Sequence, residues 1–302
     1  MEKKKEEKSE EGKNQYSVTV KSAIINALKN GNSVLGEDRK GINFSVNYNS
    51  QTAYMGVNQL YLNQARKDNG FKNPFFLTST EAQDRKMWIK DLQKGFPIGY
   101  YCADGLKYKQ DIYPLVDGRP DKSQNIIHKK GELKKDMDGK VIIGYDYSQV
   151  FNLEQVDLEK NHTYRKYFKQ NSEGKSGEFT ESPGAFELRP AEKIISEFQC
   201  PFKDAKKGEF YQAKDESTLE VFTQKTSEYF NSIFTGAEYK AWEPTKEQIA
   251  ELESHIDNNK SPLLGKIKDA NFLAVGDRDT YDFIQKRREL AIQKNNETEI
   301  AM

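Results

Sequence analysis

The first half of the chain brings together side chains that suit binding of unpaired bases and phosphates. Tyr54, Asn58 and Gln59 place one ring and two amides at the predicted start of a helix. Rings stack on bases with about 1–3 kcal/mol per base, and the free N–H groups of a helix start attract phosphate. These residue types suit binding of single-stranded nucleic acid, although residue type alone favours a structural role. The alternative is that Tyr54 is a core aromatic and Asn58 a cap or turn residue.

Cations near these residues supply candidate phosphate contacts. Lys94 precedes Gly95, and a Lys-Gly turn presents an exposed ammonium, although the same pair also occurs in ordinary hairpin turns. A basic face would be extended by further cations, which otherwise form only a solvated surface: Arg66, Lys67, Arg85, Lys86 and Lys90. The phosphate contribution of such residues falls steeply as salt rises.

A second candidate strip is Tyr164-Arg165-Lys166-Tyr167-Phe168-Lys169, in which aromatics alternate with cations. Its composition is that of a base-stacking surface with phosphate partners. A solvated helix face whose aromatics turn inward has the same composition, so both interpretations stay open.

Composition limits the classes of function. The 302 residues carry 47 basic and 47 acidic side chains, so a uniformly basic nucleic-acid binder is excluded and any such site must be a local patch. Aromatics make up 12% and predict an aromatic core. Cys102 and Cys200 stand far apart without metal-ligand spacing, which favours reduced thiols. With no apolar run long enough for a membrane span and no signal peptide, we expect a cytoplasmic protein without a membrane partner.

The elements that must position these residues follow from apolar spacing and caps. Helices are predicted over 17–28, 58–69 and from 81 toward 88, the last capped by Thr78 or Ser79 with Glu81 in its first turn. Strands are predicted near 98–102 and 140–150. Residues 40–51, with apolar side chains at 42, 44 and 46, are expected to form a short strand or an ordered arm, and 105–138 an insertion or a long hairpin arm. In the second half we predict helices over 191–198, 222–234, 245–257 and 277–293, and a hairpin over 208–221. Thr245 and Gln248 suit a capping box.

These segments suggest a domain division. Residues 1–15 are a charged tail, disordered or a frayed helix, because they contain almost no apolar side chain. The predicted first domain covers 16–170 and is followed by a Gly/Ser-rich linker at 171–185. A smaller half covers 186–294, and 295–302 is a second tail.

The order of several short motifs resembles the N-terminal single-stranded-DNA-binding domain of the antirestriction protein ArdC family. The motifs are Tyr54-Met55-Gly56-Val57-Asn58, Asn73-Pro74-Phe75-Phe76-Leu77-Thr78, Lys94-Gly95 and Val150-Phe151-Asn152, with Gln155 after them. The resemblance implies DNA contacts from Tyr54, Asn58 and Lys94. Asn152 and Gln155 are also candidate nucleic-acid-binding residues, although Asn152 is more suited to tie a loop than to read a base, and the role of Gln155 is open. Phe96-Pro97 replaces the acidic and basic pair that often extends the Lys-Gly step.

Full-length relatives carry a zincin-like peptidase domain with a His-Glu-x-x-His helix, and this chain lacks that motif. The resemblance therefore implies a degenerate peptidase-like half without zinc or another cofactor. His128, His162 and His255 are the three histidines, and no two are four residues apart. Glu251 and His255 have the spacing of two metal ligands on a helix, but a surface pair is the favoured interpretation.

Together these observations predict an α+β protein with an ArdC-like single-stranded-DNA-binding domain and a smaller α+β C-terminal half. The predicted activity is non-enzymatic, largely sequence-independent binding of single-stranded DNA, which would protect the DNA of a plasmid, phage or other mobile element. One alternative is a protein-binding module that inhibits or recruits a host nuclease or a plasmid-encoded conjugation protein. A second alternative is a cryptic metal-dependent hydrolase using Glu251 and His255.

Overall fold

The computed structural model describes residues 2–38, 44–102, 104–108, 111–116, 119–136, 138–142, 144–157, 211–256, 262–274, 282, 285 and 286. The chain divides into two compact units. The large unit comprises 1–96 and 149–302, and the small unit comprises 97–148. No helix among the described residues is long and apolar enough to cross a membrane.

Three helices belong to the first part of the large unit: α1, Glu2–Lys29; α2, Gly56–Asn69; and α3, Ser79–Asp84. Helix α1 includes the charged residues 2–15, as in the frayed-helix alternative. Helix α2 ends, as predicted, at Gly70, whose φ of 67° is left-handed. Thr78, one of the two predicted caps, starts α3 in a capping box: it accepts a hydrogen bond from the Glu81 N–H, while Glu81 accepts one from the Thr78 N–H. Helix α3 stops well before Trp88.

The strands are β1, Val46–Asn47; β2, Phe75–Thr78; β3, Phe96–Cys102; β4, Leu115–Val116; β5, Arg119–Pro120; and β6, Gly144–Asn152. A mixed sheet has the order β1-β2-β6-β3, and β4 and β5 form a hairpin within the predicted arm. Strand β1 is parallel to β2, and β2 is antiparallel to β6 with Leu77 opposite Phe151. Helices together with a mixed sheet confirm the α+β class.

Three helices follow in the C-terminal part: α4, Thr218–Thr235; α5, Lys246–Glu253; and α6, Leu263–Ala274. The helix prediction over 222–234 is confirmed. The helix predicted over 245–257 forms with its Thr245–Gln248 capping box but ends at Glu253. The predicted hairpin over 208–221 is wrong from Thr218 onward, where α4 begins. Buried Phe222, Tyr229 and Ile233 recur at helical spacing, and this period overrides the local strand preference.

Several predicted segments lie outside the described residues. They include the helix over 191–198, the linker over 171–185, the tail over 295–302 and nearly all of the helix over 277–293. In contrast, α6 was not predicted as a separate helix. Its buried Leu263, Ile267 and Ala270 do show the helical period on which such a prediction would rest.

Inside the large unit, the C-terminal helices α4 and α6 pack on each other, and two C-terminal helices also pack on N-terminal ones: α6 on α2, and α5 on α1. Hydrogen bonds join the two sequence halves, for example Asn63 Nδ2 to the Tyr229 hydroxyl at 2.9 Å and the Tyr239 hydroxyl to the Leu35 carbonyl at 2.7 Å. The predicted division into 16–170 and 186–294 is therefore not the division that packing makes.

The core of the large unit is aromatic, as composition predicted. Its largest fully buried side chains are mostly rings: Tyr48, Tyr211, Tyr229, Tyr239, Phe44, Phe75, Phe76, Phe222 and Phe230. Edge-to-face pairs recur among them, such as Tyr48 with Phe75 at 6.1 Å between ring centroids.

Candidate nucleic-acid interface

The first turn of α2 is capped by a side chain from the C-terminal part of the chain. Met55 makes no side-chain cap, and the Gly56 N–H donates to Asn271 Oδ1 at 2.9 Å. Gly56 has a φ of 55°, a left-handed conformation that glycine adopts without strain. The amide that sequence analysis offered to a phosphate therefore already has a partner on α6.

Tyr54 and Asn58 are half-buried and hydrogen-bonded. The Tyr54 ring lies edge-on to Phe76, with centroids 6.4 Å apart, and its hydroxyl accepts from Asn47 Nδ2 at 3.3 Å. Burial raises the pKa of Tyr54 above its ordinary value; the Asn47 hydrogen bond opposes this effect and the charge of Glu81 adds to it. Asn58 Oδ1 accepts from the Tyr16 hydroxyl at 2.9 Å. Neither side chain is sealed in the core, and neither is presented openly to solvent.

Gln59 is 0% exposed, which corrects the expectation that it contacts nucleic acid. With its amide turned to satisfy its neighbours, it donates to the carbonyls of Ser45 and Tyr54 and accepts from the Ser45 N–H. One step of 100° along α2 separates it from Asn58 and turns it toward the core. Asn63, one turn further, is also buried and accepts from Ser45 Oγ at 2.9 Å. The i, i+4 spacing of Gln59 and Asn63 among apolar residues was the signal for a buried polar pair.

Arg66 lies half-buried in the last turn of α2. Its Nη2 donates to the Lys72 carbonyl at 3.2 Å, across the turn that follows the helix. This contact gives Arg66 a local structural role.

Asn152 and Gln155 are also buried, so the expectation of direct contacts from them is corrected. They form a capping box at the 3-10 helix Leu153–Gln155: Asn152 Oδ1 accepts from the Glu154 N–H, and Gln155 Oε1 accepts from the Asn152 N–H. Asn152 Nδ2 also donates to the Asn73 carbonyl at 2.9 Å, which confirms its predicted loop-tying role. Gln155 Nε2 donates to Gln93 Oε1 at 3.0 Å and to the Lys94 carbonyl at 3.1 Å.

The Lys94–Gly95 step is held from two sides. Gln155 fixes the Lys94 carbonyl, and Gly95 lies against β6. A Cβ at position 95 would stand 2.9 Å from Phe151 Cζ and 3.0 Å from Gln149 Cβ, so only glycine allows this approach. The Lys94 side chain is exposed. Buried motif residues thus position one cation in solvent.

Lys94 is the last residue of a cation-rich stretch that runs from Arg85 to Lys94, which we call the basic segment. Lys86 and Lys90 are exposed like Lys94, and Lys90 Nζ also donates to the Glu154 carbonyl at 2.8 Å. Arg85 is half-buried; it lies over the Tyr48 ring at 5.3 Å and donates to Asn49 Oδ1. Sequence analysis assigned Arg85, Lys86 and Lys90 to a basic face, and the structure shows that the two lysines are exposed.

The remaining candidates fall into two groups. Tyr164, Arg165, Lys166 and Tyr167 lie outside the described residues. Glu251 is exposed and its Oε2 accepts from Thr218 Oγ1 at 2.5 Å. Within the described part of the chain, no three His, Cys, Asp or Glu side chains come together to hold a metal ion.

Comparison with known proteins places the first half of the chain in a family. Residues 13–151 match the family model described as the N-terminal domain of anti-restriction factor ArdC. No curated protein matches the chain. A crystal structure of the antirestriction ArdC protein from plasmid R388, in metal-free form, is 12% identical, with a TM-score of 0.40 over 85% of this chain and 94% of that one. A TM-score this low supports no conclusion about function. Residues 13–151, slightly less than half of the chain, therefore resemble the N-terminal domain of anti-restriction factor ArdC.

Proposed function

We propose that this chain is an antirestriction protein that works by binding single-stranded DNA, largely without sequence preference and without catalysis. The match of residues 13–151 to the N-terminal domain of anti-restriction factor ArdC supports the antirestriction role. The observation that carries the DNA-binding proposal is the basic segment, in which four cations and one carboxylate occur within ten residues of a chain of zero net charge. Lys86, Lys90 and Lys94 are its exposed cations.

The buried family motifs support this proposal through the position that they give to Lys94. Gln155 bonds to the Lys94 carbonyl, and Gly95 lets the turn approach Phe151 closely. A backbone fixed before binding loses less conformational entropy when a phosphate is bound. The motif residues thus act as the support of a phosphate-binding surface rather than as the surface itself.

The salt dependence of binding tests the proposal. For single strands, the logarithm of the binding constant falls with the logarithm of salt concentration with a slope of about −0.7 per phosphate contact. Three lysine contacts therefore predict a slope of about −2. The measurement is fluorescence anisotropy of a labelled thymidine oligonucleotide at several salt concentrations between 50 and 200 mM, by order of magnitude the range over which such contacts are lost.

The matched variants are Lys94→Ala and Lys240→Ala, both of which remove an exposed lysine from the large unit. Lys94→Ala is expected to weaken binding and to reduce the slope by about 0.7, whereas Lys240→Ala leaves both unchanged. Failure of the wild type to retain the oligonucleotide in a salt-sensitive way would remove the DNA-binding proposal.

The biological role needs a cellular assay. Unmodified plasmid is introduced into a restricting host and into a matched host without the nuclease, with and without expression of the chain. We expect expression to raise plasmid survival in the restricting host alone. Equal survival with and without the chain would contradict the antirestriction role.

A protein-binding function is the second candidate, because the small unit exposes several large apolar side chains. They are Leu115, Val116, Ile126, Ile127, Val141 and Ile142. Exposed apolar surface of this kind marks interaction sites. Under this alternative, plasmid survival would be lost in a Leu115→Ser, Val116→Ser variant and kept when Lys86, Lys90 and Lys94 are all replaced by alanine. The DNA-binding proposal predicts the reverse.

A further inference from the structure

Trp88 is a large aromatic side chain on the surface of the large unit. It is 61% exposed, whereas Trp242 is buried. Burying a large apolar side chain stabilises a fold, so the exposure of Trp88 forgoes stability that folding would otherwise gain. Leu92, four residues later in the basic segment, is 99% exposed. Sequence analysis treated Trp88 only as the end of a helix that in fact stops at Asp84.

The exposure of Trp88 does not come from a loose loop. The Trp88 carbonyl accepts from the Asp157 N–H at 2.6 Å, and the Lys90 N–H donates to the Gln155 carbonyl at 2.9 Å. Between them, Ile89 forms an antiparallel bridge with Val156. Met87, directly before Trp88, is only 2% exposed and anchors the segment in the core. The backbone therefore holds the indole at a defined place in solvent.

Two residues with a strained backbone conformation lie at the two ends of the stretch around Trp88. Lys86 has a φ of 55° and Leu92 a φ of 62°, both in the left-handed region, although neither is glycine. This conformation costs an L-residue about 1–2 kcal/mol. Such strain persists where the surrounding structure imposes it, and it is concentrated at functional sites. Here the two positions mark the ends of the stretch that presents Trp88.

Cations flank the indole on both sides. Met87 is buried and Ile89 half-buried, while Lys86, Trp88 and Lys90 are exposed, so alternate residues point to solvent. A ring between two ammonium groups is the arrangement that binds single strands, because the ring stacks on a base while the cations meet the neighbouring phosphates. A single carboxylate of the basic segment, Asp91, follows Lys90.

We infer that Trp88 stacks on a base of single-stranded DNA, with Lys86 and Lys90 on the adjoining phosphates. This inference rests on the proposed function and assigns the stacking residue of its site. A lipid surface would also accept an exposed Trp and Leu, but it would bring Asp91, next to Leu92, against anionic headgroups. The charge pattern therefore favours the polynucleotide.

Tryptophan fluorescence tests the inference directly. In a Trp242→Phe background, Trp88 is the one remaining tryptophan, since the chain contains two. Titration with a thymidine oligonucleotide is expected to quench its emission with the same midpoint as the anisotropy titration. If Trp242→Phe folds poorly, the difference between wild type and Trp88→Phe isolates the same signal.

Affinity gives the second readout. Loss of one stacked base predicts that Trp88→Ala weakens binding roughly 5- to 150-fold, since stacking contributes about 1–3 kcal/mol. The slope of binding against salt should not change, because no phosphate contact is removed. Trp88→Phe should recover part of the loss. Leu92→Ala, which removes an exposed apolar side chain from the same segment, should change affinity less than twofold.

The outcomes separate this inference from the proposed function. Salt-sensitive binding by wild type together with unchanged affinity in Trp88→Ala overturns the inference and leaves the function standing. An equal loss in Leu92→Ala and Trp88→Ala also overturns it, because a general apolar contact would then explain both. Absence of oligonucleotide binding by wild type overturns both proposals. A blue shift of Trp88 emission with phosphatidylglycerol vesicles, without quenching by oligonucleotide, assigns the surface to lipid and overturns the inference.

Discussion

The start of α2 and the basic segment belong to the same unit, but they differ in the exposure of their polar and aromatic side chains. At the start of α2, Asn271 caps Gly56, Tyr16 bonds to Asn58, and Gln59 is buried. In the basic segment the backbone is held by Gln155 and Asp157, while Trp88 and three lysines face solvent.

This difference distinguishes residues that stabilise the fold from exposed residues that are available to a ligand. Residues that carry the family pattern form hydrogen bonds within the fold. The Gly56 N–H donates to Asn271, and the side chains of Asn152 and Gln155 donate to backbone carbonyls. The exposed residues beside them carry the charge and the ring that a single strand would meet. Substitutions at the first set should therefore change stability, and substitutions at the second set should change binding. The predictions below test this division, from the largest effect on stability to the smallest.

The largest loss of stability is expected from Gln59→Leu. The replacement keeps the side-chain volume but removes three hydrogen bonds, those of Gln59 to the Ser45 N–H, the Tyr54 carbonyl and the Ser45 carbonyl, of which the last keeps the Tyr54 N–H as a donor. At about 1 kcal/mol for each, the free energy of unfolding should fall by about 3 kcal/mol, measured by urea denaturation. Gln83→Leu, on the exposed side of α3, is the matched control and should stay within about 0.5 kcal/mol. A stable Gln59→Leu protein with weakened DNA binding would reverse the division.

Gly95→Ala should cost about 2 kcal/mol, because the added Cβ must displace the Phe151 ring or the Gln149 side chain. The same change should shift Lys94 and lower the affinity for oligonucleotide, so Gly95 is expected to affect both stability and binding. Gly139→Ala is a useful control: a Cβ there meets nothing within 4 Å, although its φ of 77° carries its own strain. Gly95→Ala with unchanged stability would show that the turn is not tightly held.

Asn271→Ala should lower the free energy of unfolding by about 1 kcal/mol, the usual contribution of a lost helix cap. Amide exchange of Gly56 should become faster, since its N–H loses the Asn271 acceptor. Oligonucleotide affinity of the folded protein should stay the same. Binding that becomes tighter in this variant would indicate that the start of α2 accepts a phosphate once its cap is removed.

The pKa of Tyr54 provides the smallest and most local test. Because burial raises this pKa, the Tyr54 phenol should remain neutral as pH passes 10, and its contribution to stability should be complete below that value and lost only at higher pH. The difference in ultraviolet absorbance between wild type and Tyr54→Phe, followed from pH 9 to 11, should therefore contain no titration step from this residue. A step near pH 10, the ordinary value of tyrosine, would mean that the ring is open to water.

Local sequence rules predicted the framework of this protein well. The end of α2 at Gly70, the caps at Thr78 and Thr245 and the aromatic core each follow from a few neighbouring residues. The hairpin predicted over 208–221 failed because α4 takes its register from long-range burial of Tyr229 and Ile233, which a short window does not contain.

The candidate site was less predictable for the same reason. Whether Gln59 or Trp88 is exposed depends on the segments that lie beside it. Ser45 and Tyr54 bond to the Gln59 amide, whereas only the backbone around Trp88 pairs with residues 155–157. Asn271 and Asp157, which set the two environments, are distant in sequence from the residues that they fix. Residue type suggested a nucleic-acid site, but only packing distinguishes a supporting amide from a contacting ring.

Photochemical cross-linking tests the central claim most directly. A thymidine oligonucleotide is irradiated with the wild-type protein at low salt, and the attached peptide is identified by mass spectrometry. The proposal predicts attachment within residues 85–94, with Trp88 as the modified side chain. Attachment confined to the start of α2 or to the small unit, or none at all under conditions of saturated binding, would contradict it.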